Sequence, residues 1–170
     1  MKHRAAGFSL VEVLVSIVVL SVGLLGTIGM LLASVRTSNE SATFTAALNL
    51  ARDLSEKVRM NKGVATRNDA GNAYLVDDWR EEDASKTASA GAACVGGGAI
   101  CSPADLAAWD LNEWQRRIAQ ALPDARVSVC FDEAPWNAAA DAYTWTCSNT
   151  GRTVVAKLGW TPRAGPGPKA

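Results

Sequence analysis

Histidine is almost missing from this 170-residue sequence: the single copy, His3, precedes every other feature of interest. The rest of the chain therefore offers no imidazole for a Ser-His-Asp or Cys-His nucleophile system, and none for the common His-ligated zinc sites. Net charge is missing too, with 17 Lys+Arg against 17 Asp+Glu. Beyond Arg36 there are 14 cations and 16 carboxylates and no basic run; Arg116, Arg117 and Arg126 come nearest to a patch. Nucleic-acid binders carry a basic face, so neither DNA nor RNA is expected as a partner. Proline does not occur before Pro103, which frees the first hundred residues of the strongest helix breaker. The four cysteines, Cys94, Cys101, Cys130 and Cys147, contain no C-x-x-C pair, which argues against zinc or thioredoxin-like chemistry. Carboxylate-only catalysis of the glycosidase kind survives these exclusions, but no spacing selects a pair. The expectation is a protein without catalytic residues, metal or cofactor.

What the chain has in excess is apolar length. Residues 13–35 are free of charge, and as a helix they span roughly 34 Å against a hydrocarbon core of about 30 Å. Lys2 and Arg4 precede the run and only Arg36 follows it closely, so the N-terminus is expected in the cytoplasm and the remainder outside. An even number of cysteines on that far side reads as two disulfides in an oxidising compartment. Glu12 stands out. A charge at bilayer depth costs roughly 2.5–3.5 kcal/mol, and such a residue calls for a partner.

The stretch "GFSLVEVLVSIVVLSVGLLG" resembles the N-terminus of type IV prepilins and their pseudopilin relatives. It has Gly7, then Phe8, then Glu12 five residues past the glycine, then an unbroken apolar helix. The resemblance implies cleavage after Gly7 by a prepilin peptidase and N-methylation of the new terminus at Phe8. It also implies that Glu12 of an incoming subunit pairs with a neighbour's terminal ammonium and sets the axial register. Such pairing is physically apt, since opposite charges attract strongly at low dielectric and cost less to bury together than apart.

Further on, "ALNLARDLSEKVRMNK", "WQRRIAQALP" and "TVVAKLGW" extend the likeness to the minor pilins of the type IV pilus modification family. That family implies a subunit without a catalytic site, which joins a priming complex in the inner membrane and ends at or near the fibre tip. The implied partners are other minor and major pilins, the prepilin peptidase, the inner-membrane assembly platform and a tip adhesin. The alternative is a minor pseudopilin of a type II secretion system. A membrane-anchored periplasmic enzyme or binding module is more remote.

The fold expected is α+β and pilin-like: a long N-terminal helix, membrane-spanning in its first half, packed on a small antiparallel sheet with an extra helix and disulfide-closed loops. Residues 1–7 are the leader, 8–35 the membrane and assembly half of the helix and 36–62 its amphipathic half. Residues 63–162 form the periplasmic globular domain and 163–170 a flexible Pro/Gly-rich tail. Phe44, Ala47, Ala51, Leu54 and Val58 recur at helical steps, and Arg52–Glu56 and Asp53–Lys57 are i,i+4 pairs. Gly63 is the expected helix stop. Gly23, Gly26 and Gly29, three apart, read either as a small-residue packing face or as a section able to unwind on fibre entry.

"VDDWREED" is read as a solvated acidic loop, since its spacing fits no EF-hand. "SPADLAAWDLNEWQRRIAQALP" has Ser102 as N-cap, Pro103 in the first turn, Asp105 completing a capping box, and an apolar stripe of Leu111, Trp114, Ile118 and Leu122. Trp109 and Trp114 are read as core aromatics in preference to sugar-stacking ones. Alternation in "ARVSVCF", "AYTWTC" and "RTVVAKLGW" predicts a three-stranded antiparallel meander. Of the three disulfide pairings open to four cysteines, Cys94–Cys101 with Cys130–Cys147 is favoured. The second closes a hairpin loop worth about 3 kcal/mol.

Overall fold

A computed structural model of the chain describes residues 7, 9–83, 94 and 100–161. The chain divides into two compact units, Met1–Ser41 and Ala42–Ala170, and each is described by itself. One helix, α1 (Leu10–Met60), runs through both. With no proline and only scattered glycines, nothing in its sequence forces a break. The expected tail, residues 163–170, lies outside the described residues.

In the first unit every described residue is exposed, including a long series of Val, Leu, Ile and Met side chains. This segment is long and apolar enough to cross a membrane. Its hydroxyls turn inward along the helix: Ser16, Ser21 and Thr37 donate to the carbonyls of Glu12, Ile17 and Ala33, and Thr27 to that of Leu24. Polar groups satisfied within the helix suit an environment without water.

In the second unit Ala47, Leu50 and Leu54 of α1 are buried in one hydrophobic core. The helix ends at Met60, and a short turn of helix, α2 (Lys62–Ala65), follows. Gly63 thus sits inside α2 and does not terminate α1, a correction to the sequence reading; Val64 and Ala65 gain burial from this turn. Asn72 then fixes the descending loop. Its side-chain NH2 donates to the carbonyls of Ala65 and Arg67, and its oxygen accepts from the Tyr74 amide.

Strand β1 (Val76–Arg80) lies where the sequence reading placed a solvated loop. Val76 pairs with Val129 and Trp79 with Val127, with a register shift between them. A bulge therefore inserts one residue, and Asp78 adopts a φ of 47° there, a conformation Asp tolerates better than most residues. A one-turn 3-10 helix (Glu81–Asp83) follows.

Helix α3 (Pro103–Ala121) starts as the sequence predicts. Ser102 caps it, and its side chain and that of Asp105 bond reciprocally to each other's backbone. Leu111, Trp114, Ile118 and Leu122 are buried. Trp114 is fully buried and its indole N–H donates to the Leu50 carbonyl at 2.7 Å. Two ion pairs tie α3 to α1: Asp110 to Lys57 at 2.6 Å and Arg117 to Asp53 at 2.5 Å. Asp53 and Lys57 thus have partners on another helix, where the sequence suggested an i,i+4 pair. Trp109 is half-buried, with the Lys57 ammonium 5.6 Å from its ring.

The main sheet has the order β1–β2–β5, all antiparallel, with β2 (Arg126–Phe131) central and β5 (Val154–Gly159) at one edge. Residues 142–147 do not form its second strand as the alternation suggested. Only Ala142 and Tyr143 are extended there, as β4, paired with β3 (Trp136–Asn137) in a separate two-stranded hairpin. From Thr144 to Cys147 the chain covers the outer side of the main sheet. Cys147 is bridged to Cys130, and Trp145 lies against Gly159 and under the Arg126 guanidinium, 4.2 Å from its ring centroid. This cover is why β2 is buried on both faces, although its sequence alternates.

Candidate functional site

Glu12 lies in the first turn of α1, where the unpaired N–H groups of a helix favour a carboxylate. Among the described residues none forms an ion pair with it, and it is exposed. Immediately after it come side chains of the apolar run, such as Val13, Leu14 and Ile17, roughly half or more exposed. The segment thus presents a lone carboxylate at the head of an unburied apolar rod, two features that call for an environment the isolated chain does not supply. Gly7 is exposed and a Cβ added there would meet nothing within 4 Å. Phe8 lies outside the described residues. Gly23, Gly26 and Gly29 are helical, exposed and equally open to a larger side chain.

The cysteines pair as Cys94–Cys101 and Cys130–Cys147. Two residues of the acidic cluster are engaged by neighbours: Asp78 pairs with Arg126 and Arg80 and accepts from the Trp145 indole N–H, and Glu81 accepts from the Ala125 amide. The bond to Arg126, above all, holds the Asp78 carboxyl below the usual range. Among the described residues one group is close enough to hold a metal, Cys130, Asp132 and Cys147. Its two sulfurs are bonded to each other and its carboxylate is taken by Lys157.

Two polar networks escaped the sequence reading. Asp132 and Lys157 form a buried ion pair at 2.6 Å, and the ammonium also donates to the carbonyls of Trp145 and Thr146. The Lys157 bond, reinforced by the Ala134 and Ser148 amides, lowers the Asp132 pKa to about 2 against its burial. The other network centres on Tyr74, whose hydroxyl donates to Asp110 at 3.1 Å. Burial first, then the Asp110 charge, pushes this phenol up to about 12, with the Asn61 side chain opposing. Nothing local in the sequence marks either network, because the partners lie 25 and 36 residues apart. In both, the charges are matched within the network: Asp132 by Lys157 and Asp110 by Lys57.

A family model described as type IV pilin Tt1218 matches residues 29–112. A model of the prokaryotic N-terminal methylation motif matches residues 2–28. The two adjoin, and together they run from the residues ahead of Gly7 into the middle of α3. The chain belongs to the type IV pilin family. Type IV pilins are non-enzymatic structural proteins. The pilin assignment brings with it pilus partners and processing by a prepilin peptidase. It also accounts for the bare apolar helix, which serves an inner-membrane prepilin first and a pilus subunit later. No curated protein and no solved structure matches this pilin.

Proposed function

We propose that this pilin is a minor pilin of the type IV pilus modification (PilV) kind, which primes pilus assembly and is incorporated at or near the fibre tip. The leader is removed after Gly7 and the new amine of Phe8 is methylated. The mature helix waits in the inner membrane with its N-terminus cytoplasmic and the globular unit periplasmic. Glu12 then pairs with the terminal ammonium of an adjacent subunit and sets its axial position. Other minor and major pilins, the prepilin peptidase, the assembly platform and a tip adhesin are the partners. The observation that supports this most is Glu12 itself: a carboxylate with no ion-pair partner among the described residues, at the start of a helix whose described residues through Ala42 are all exposed. In water-poor surroundings a lone charge is unfavourable and a cation beside it is strongly attracted.

The test replaces the chromosomal copy with Glu12→Ala. The variant is expected to enter the membrane at normal level and to lose its first seven residues, leaving an N-methylated Phe8 by mass spectrometry, while surface pili fall several-fold. Normal piliation would rule out the charge pair. A wild-type chain retaining Met1 in the fibre would rule out the processing step.

A further inference from the structure

The hairpin β3–β4 is hydrogen-bonded to neither edge of the main sheet, and residues 136–143 are all exposed. Two of them are aromatic and face each other across the strands: Trp136, 45 % exposed, and Tyr143, 79 % exposed. Their rings meet edge to face, with centroids 4.8 Å apart and 75° between planes. Neither ring contributes to the core. The turn between the strands is Ala138-Ala139-Ala140-Asp141, held by the Asn137 side-chain oxygen, which accepts from the Ala139 and Ala140 amides.

The base of the hairpin is fixed unusually well for a surface feature. The disulfide Cys130–Cys147 closes it, the buried Asp132–Lys157 pair anchors both flanks, and the Thr144 amide donates to the Pro135 carbonyl at 2.9 Å. An aromatic platform ordered in advance gives up little further freedom when a ligand settles on it.

Charge narrows the ligand. Residues 132–151 include no Lys or Arg; their charged groups are Asp132, already paired, and the exposed Glu133 and Asp141. Within residues 132–151 a phosphate- or sulfate-bearing chain would meet carboxylates and no cation, the reverse of a nucleic-acid surface. A neutral sugar ring fits better. Its weakly positive C–H face stacks on an electron-rich aromatic face, and a hydroxyl can bond the exposed carboxylate of Asp141 in the turn of the same hairpin.

We propose that the Trp136–Tyr143 hairpin is a binding site for neutral polysaccharide chains, with a pyranose ring stacked on the exposed aromatics and a hydroxyl bonded to Asp141 in the turn. This assignment holds whether or not the chain primes pili, so the two fail separately. The test uses the full chain in a zwitterionic detergent, which carries no sugar headgroup, applied to cellulose, chitin and amylose beads and to an array of neutral oligosaccharides. Heparin and single-stranded DNA are the anionic probes.

The expected result is retention on at least one neutral probe, competed by the soluble form of the same saccharide. Trp136→Ala and Tyr143→Ala should each weaken retention about tenfold with the melting temperature and both disulfides unchanged, while Arg152→Ala has no effect. Should Trp136→Ala lower the melting temperature, Tyr143→Ala carries the test alone, since its ring is mostly in solvent. Retention on no neutral probe, retention insensitive to the aromatic substitutions, or retention confined to heparin or DNA would each overturn the proposal.

Discussion

At the scale of single residues, the buried charges do the most to fix the globular unit. Asp132 and Lys157 are nearly inaccessible to solvent, and each satisfies the other together with backbone groups of the covering loop. Removing one partner leaves the other buried and uncompensated, which is costly. The Asp132 carboxyl titrates at about 2 in the folded chain against 3.8 ordinarily. A depressed acid stabilises the fold fully above its unfolded value and progressively less as the pH falls through the folded one. The melting temperature should therefore drop between about pH 4 and pH 2 by more in the wild type than in Asp132→Asn, which should start lower at pH 7. Parallel acid slopes in the two proteins would show that this carboxylate does not carry the transition. None of this was legible in "CFDEAP" or "VAKLG", because a lysine in a strand reads as solvent-facing until the loop that covers it is placed.

At the scale of elements, what was legible followed local chemistry, and what was not followed tertiary insertion. Helix α3 could be read to its cap because Ser102, Pro103 and Asp105 act within one turn. Its stripe of Leu111, Trp114, Ile118 and Leu122 is likewise a matter of period alone. Strand β1 could not be read so. Its inward residues, Val76 and Trp79, lie three apart because the bulge at Asp77 and Asp78 consumes a residue, so the period-2 test fails. The opposite error occurred at "AYTWTC", where alternation is present but Trp145 and Cys147 are drawn onto the sheet surface by Arg126 and Cys130. Since the α3 cap is local and exposed, Ser102→Ala should cost about 1 kcal/mol in thermal unfolding. Ser102→Asp should recover part of that loss, and an unchanged melting temperature in Ser102→Ala would mean that the cap is redundant with the neighbouring disulfide.

At the scale of the whole molecule, two physical regimes follow each other along one helix. Every described residue through Ala42 is exposed, whereas Ala47, Leu50 and Leu54 on the same helix belong to the core. The long apolar run was legible because it needs only length and composition. In the function proposed above its role depends on other molecules, through Gly7, Phe8 and Glu12. A chain beginning at Ala42 keeps every buried residue of the core, both disulfides and the ion pairs of Asp53, Lys57 and Lys157. That truncated form should be a soluble monomer by sedimentation, should melt within a few degrees of the full chain in detergent, and should yield no free thiol before reduction. It should also fail to support piliation in a strain lacking the full-length protein, since the helix carrying the charge and the apolar surface is gone. A truncated chain that aggregates or melts far lower would mean that residues 10–41 contribute to the stability of the globular unit as well as to assembly.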